Sequence, residues 1–118
     1  MTVSEPGCIF CRIVTGEAPA DVVHSTDQVL AFRDMNPQAP VHVQVVPRRH
    51  VSNASTLGPD DGEPLAELMM VAREVARSEG IAGRGHRLLF NVGNDARNTI
   101  PHLHLHVLGG RRLGWPPG

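Results

Sequence analysis

Imidazole and aliphatic side chains alternate without a break over His102-Leu103-His104-Leu105-His106-Val107, and Gly109-Gly110 closes the run after Leu108. Successive side chains of a strand point to opposite faces. The run from Leu103 to Leu108 is therefore expected to be a strand with Leu103, Leu105 and Val107 in a core. His102, His104 and His106 then share the other face, at a spacing of about 7 Å. The apolar face anchors the strand, and the histidine face meets a cleft.

The other elements follow from periodicity and breakers. Ile9 to Val14 reads as one short helical turn, closed off by Gly16 and Pro19. Val22-Val23-His24 and Val29 to Phe32 read as a hairpin-like pair of strands around Ser25-Thr26-Asp27. Asp34 to Pro40 is a two-proline loop, and His42 to Val46 alternates as a third strand before Pro47. Asp60 to Gly80 is the one long helix expected. Leu65, Leu68, Met69, Ala72, Val75 and Ala76 recur at three and four, Asp60 and Glu63 are a candidate capping pair, and Gly80 suits the C′ position. Leu88 to Val92 reads as a fourth strand, and Gly93 to Thr99 as a polar loop. Most strands follow one another without an intervening helix. That order predicts an α+β fold: a five-stranded antiparallel sheet, one main helix and a short N-terminal helix.

The chain has 118 residues, so a single domain spanning 1–118 is expected, with residues 1–7 as a flexible N-terminus. All 11 basic residues are Arg, seven residues are His, and Lys and Tyr are absent. Lysine Schiff bases, a P-loop lysine and tyrosine acid–base chemistry are excluded. A formal net charge of −1 argues against a nucleic-acid partner. No apolar run reaches membrane-spanning length and no signal peptide is visible, so a cytoplasmic location is expected. Cys8 and Cys11 form a Cys-x-x-Cys, which in such a chain reads as a metal or redox pair.

Three histidines at period two fit two chemistries. They could ligate a catalytic zinc. They could instead act on phosphorus, with one imidazole attacking and its neighbours neutralising phosphoryl oxygens and protonating the leaving group.

The run His102 to Leu108 resembles the signature of the histidine triad superfamily. The ending Gly109-Gly-Arg111-Arg-Leu-Gly-Trp115-Pro-Pro-Gly118 is similar to that of its nucleotide-binding, phosphoramidase branch. Leu30 to His42 and Val45 to His50 are similar to the same branch, so the resemblance covers roughly residues 8 to 118. It implies hydrolysis of purine nucleoside phosphoramidates, such as AMP-amines or acyl-adenylates, through a covalent nucleotidyl-histidine. Dinucleoside polyphosphate hydrolysis and a non-catalytic nucleotide-binding scaffold are the alternatives.

The resemblance also assigns residues. His104 matches the nucleophile. His106 matches the histidine that contacts the phosphate and protonates the leaving amine. His42 and His102 complete the catalytic set. Asp34 matches the ribose-binding carboxylate, and Ile9, Phe10, Ile13, Phe32 and Met35 match the purine pocket. Asn91 and Thr99 match polar positions beside the phosphate. Arg97, Asn98 and Pro101 depart from the family pattern, which bears on Thr99. Cys8, Cys11, His50 and His102 match a structural zinc set, with catalysis itself metal-independent. A two-fold homodimer is implied, with residues 109–118 reaching toward the partner's site and Trp115 as an anchor.

Overall fold

The segment Val41–Pro47 explains the architecture best, because its two faces have different chemistry. In this computed structural model, which describes residues 4–118, Val43 and Val45 are fully buried on one face. His42, Gln44 and Val46 occupy the other. We label this strand β3. It follows α1 (Ile9–Val14), β1 (Val22–Ser25) and β2 (Val29–Arg33), and precedes α2 (Gly62–Ser78), β4 (His86–Leu89) and β5 (Leu105–Gly109). The described residues form one five-stranded sheet in the order β1-β2-β3-β5-β4, with every neighbouring pair antiparallel. No helix among the described residues is long and apolar enough to cross a membrane.

The sheet carries two apolar layers. The larger lies under α2, where Leu68, Val71, Ala72 and Val75 meet Val43, Val45, Leu103, Leu105 and Val107. Each fully buried Leu or Val there stabilises the fold by roughly 1.5–3 kcal/mol. The buried stripe of α2 includes Val71 rather than the expected Met69, which is 40% exposed. The smaller layer lies on the histidine face, where Phe10 from α1 meets Leu30, Phe32 and Val46. That face is therefore covered in part by α1.

Several boundaries differ from expectation, each for a local reason. The long helix begins at Gly62, after a 3₁₀ turn over Pro59–Asp61. Instead of an Asp60–Glu63 pair, Asp61 takes the N-cap position without a side-chain bond to the helix, and its carboxylate accepts from Gly58 N–H at 2.7 Å, closing the 3₁₀ turn. Gly80 has φ +77, as a C′ residue requires. β4 spans His86–Leu89 rather than Leu88 to Val92, because its partners run from Gly109 to His106 in β5. β5 itself begins at Leu105, so His102 and His104 lie in the extended approach to the strand. The alternation of faces still holds across that approach, since Leu103 joins Leu105 and Val107 under α2. Of the expected flexible N-terminus, residues 1–3 lie outside the described residues. At its other end, the Glu5 carbonyl accepts from Cys8 N–H at 3.2 Å, leading directly into α1.

Candidate active site

Antiparallel pairing of β3 with β5 sets Gln44 opposite His106 and His42 opposite Leu108. Their histidine-face side chains meet above the sheet. His42 and His106 come within 2.9 Å through Nε2 and Nδ1. His104 and His106 rings lie 4.9 Å apart, closer than the 7 Å expected from strand repeat alone, because the rings lean together.

The surrounding donors assign the tautomers. Gln38 N–H donates to His42 Nδ1 at 3.0 Å. His42 must then carry its proton on Nε2, which donates to His106 Nδ1. His106 is left with its proton on Nε2, a buried atom with no partner among the described residues. His104 Nδ1 lies 2.7 Å from the His102 carbonyl and can only donate to it. His104 Nε2 is therefore the unprotonated nitrogen of that ring. Arg111 donates to the Gln38 carbonyl at 2.9 Å, joining the C-terminal segment to this chain of bonds.

Burial disfavours the charged form throughout the cluster. It lowers His106 to about 4, and the neighbouring His104 and His42 push in the same direction. His104 is lowered by burial, against the pull of its bond to the His102 carbonyl and of Asp34. His42 is lowered by burial, with Asp34 opposing. Asp34 Oδ2 stands 3.4 Å from His42 Nε2, and its Oδ1 accepts from Asn36 N–H at 2.8 Å. Asp34, His42 and His106 could also be grouped as metal ligands by proximity. The short imidazole–imidazole hydrogen bond already accounts for their approach.

His102 differs from the other two triad members. Its ring is fully buried and turned toward α1. His102 Nδ1 lies 3.4 Å from Cys8 Sγ and 3.6 Å from Cys11 Sγ, and Cys11 Sγ lies 3.4 Å from His50 Nδ1. The four ligand atoms all lie within 4.8 Å of one another. A tetrahedral zinc with two thiolates and two imidazoles needs sulfur–nitrogen separations of about 3.5 Å. The donor set and its spacing fit such an ion. The far nitrogen fits too, because His102 Nε2 donates to the Pro47 carbonyl at 2.9 Å and so leaves Nδ1 free to ligate. Without a metal, burial raises the Cys8 thiol above its ordinary value; a bound cation would reverse that.

A cavity of about 220 Å³ opens beside the cluster, lined by Ile9, Phe10, Ile13, Phe32, Asp34 and Met35 among others. The five residues expected around the purine and Asp34, expected at the ribose, are thus brought together. Phe10 sits at the centre of the site, packing edge-on against Phe32, His102 and His104 at 5.4, 5.9 and 5.2 Å. Met35 lines the cavity from outside and is 96% exposed. Asn91 is half-buried and Thr99 exposed, and neither lines this cavity. Arg97, exposed beside Thr99, has φ 61. A left-handed conformation is costly for a residue with a side chain.

Gln44 lines the same cavity and was not expected there. Its signal in the sequence was a polar side chain alternating with Val43 and Val45, on the face of His42. Gln38 and Arg111 were missed as well: Gln38 acts through its backbone N–H and carbonyl, and the Arg111 guanidinium meets that distant carbonyl, which side-chain patterns do not reveal.

A family model described as HIT domain matches residues 15–113. An uncharacterized HIT-like protein of Synechocystis is 46% identical over 110 residues, covering 93% of this chain and 96% of the relative. The crystal structure of a HIT family hydrolase from Legionella pneumophila superposes with a TM-score of 0.93 at 44% identity, covering 95% of this chain and 100% of that one. A HIT family hydrolase from Clostridium thermocellum gives 0.91 at 37% identity, covering 94% and 96%. With its three alternating histidines, its sheet and these relatives, the chain belongs to the HIT, or histidine triad, family.

Proposed function

We propose that the protein is a hydrolase of purine nucleoside phosphoramidates, with His104 as nucleophile. One observation carries this reading: His104 Nδ1 donates to the His102 carbonyl, so Nε2 is the free nucleophilic nitrogen. The two similar structures named as hydrolases support the hydrolytic part.

The apolar walls from Phe10, Phe32, Ile9 and Ile13 suit a purine, and Asp34 suits ribose hydroxyls. His106 Nε2–H, unpartnered and buried, suits a phosphoryl oxygen or the leaving nitrogen. A bound phosphate diester-like anion favours the charged form of a nearby imidazole, opposing the effect of burial. In the first step His104 Nε2 bonds to phosphorus and the phosphorus–nitrogen bond to the amine breaks. The amine takes its proton from His106 in the charged form that the bound anion favours, which leaves a neutral imidazole. In the second step water bonds to phosphorus, the His104–phosphorus bond breaks, and the water's proton passes to His106. Splitting the reaction in this way replaces one difficult step with two easier ones.

Zinc at Cys8, Cys11, His50 and His102 is assigned a structural role, anchoring α1 to the sheet. Asn91 and Thr99 are kept as candidate contacts to the phosphate side. A two-fold homodimer is proposed through the C-terminal segment, supported by Trp115, which is 82% exposed. The cytoplasm is the proposed location, since it keeps free thiols reduced.

The test is turnover of an AMP-amine by wild-type protein and by His104→Ala in the presence of chelator. Wild-type turnover, its loss in the variant and trapping of a nucleotidyl-protein are expected. Undiminished turnover in His104→Ala would refute the mechanism.

A further inference from the structure

Gln44 stands out on the histidine face. It is 8% exposed, beside the apolar cluster of Phe10, Leu30, Phe32 and Val46. Burying a primary amide there is unfavourable unless its polar atoms are paired. Only half of it is paired: Gln44 Nε2 donates to Asp34 Oδ2, while Gln44 Oε1 is buried without a partner among the described residues. The reverse placement of the amide would set two oxygens against each other, so the assignment of the donor to Asp34 stands on the network.

A buried acceptor without a partner, on a residue that lines a cavity, calls for a donor. Asp34 and Gln44 line the cavity together, and Asp34 is already turned by Asn36 N–H and by Gln44 itself. The pair thus offers two kinds of acceptor side by side: the carboxylate and the carboxamide oxygen. A ribose ring carries two adjacent hydroxyls, and each is a donor.

We propose that Gln44 is a sugar-specificity residue, whose Oε1 takes one hydroxyl of a ribonucleotide while its Nε2 orients Asp34 for the other. The inference rests on the nucleotide reading of the site. It adds a second sugar-reading group to the carboxylate and a requirement for a complete cis-diol. A leucine at this position would satisfy packing equally well but could not read a hydroxyl.

The test is calorimetric titration of wild type and Gln44→Leu with AMP, 2′-deoxy-AMP and 3′-deoxy-AMP. Wild type is expected to favour AMP over at least one deoxy analogue on the order of tenfold, the weight of one hydrogen bond. In Gln44→Leu that preference should collapse to about twofold or less, with binding of the disfavoured analogue retained. A packing role alone would weaken all three ligands together and leave their ratios unchanged. Unchanged ratios in the variant, or equal binding of all three by wild type, overturn the role of Gln44 and leave the nucleotide reading intact. Failure of wild type to bind any of the three overturns both. Thermal melts report whether Gln44→Leu folds, and Gln44→Met makes the same comparison if it does not.

Discussion

Zinc loading should raise the melting temperature by an amount that can be worked out beforehand. The Cys8, Cys11, His50 and His102 donors join α1, the segment after β3 and the approach to β5, which are far apart in sequence. Such a set is absent from the unfolded chain, so metal binding stabilises the folded state. At a free zinc concentration of about 1,000 times Kd, mass action adds roughly 4 kcal/mol. An unfolding entropy of about 2.1 cal/mol/K per residue over the 118 residues is ~0.25 kcal/mol/K. The melting temperature should therefore rise by ~15 °C between chelated and zinc-loaded protein. Scanning calorimetry measures this, with His50→Ala as the comparison. His50 is half-buried and at the edge of the set, so its loss removes a ligand without disturbing α1 or the triad. The variant should lose most of the shift. Cobalt in place of zinc should show thiolate-to-metal charge transfer in wild type. A melt unmoved by zinc, or an equal rise in His50→Ala, would refute the tetrahedral site.

Two further outcomes follow from packing and burial. Phe10→Ala removes a ring that is 4% exposed and touches Phe32, His102 and His104, so about 3–5 kcal/mol of stability should be lost in urea melts. A loss under about 1 kcal/mol would mean that α1 does not pack as described. Stability should also fall with acid. His106 titrates near 4 in the folded state and near its ordinary 6.5 when unfolded, so between these values the unfolded chain binds more protons. Its contribution is complete above pH ~6.5 and declines as pH falls toward ~4. Urea midpoints at pH 7.5 and 4.5 should differ, and by less in His106→Asn; equal midpoints in the wild type would contradict a buried neutral cluster.

Much of this fold was legible because alternation and helical spacing are backbone signals. The Leu103–Val107 alternation placed the core face correctly, and Leu68, Ala72 and Val75 marked the buried stripe of α2. What stayed hidden depends on partners distant in sequence. The limits of β4 follow from its register against β5, which nothing local to Leu88 or Val92 encodes. The turn of His102 toward Cys8 and Cys11 is set by α1, whose two thiols lie more than 90 residues away. Gln44 looked like one polar residue in a strand; only the fold sets Asp34 beside it.

His102 joins the two halves of the site. Its ring belongs to the cysteine cluster, while its carbonyl holds the proton on His104 Nδ1. Fixing the ring restrains the carbonyl three bonds away, so a structural ion would also orient the proposed nucleophile, which it never touches. Phe10, edge-on to both rings, transmits the same constraint through packing. The absence of lysine now has a physical sense. A permanent cation in the cavity would hold a released nucleotide as firmly as the substrate. Arg33, which lines the cavity, is already paired with Asp21 and Glu79. Burial disfavours the charged form of the histidines beside it, and an arriving anion would favour that form. Positive charge would then be present while the reacting phosphate needs it, and would decline as the product leaves.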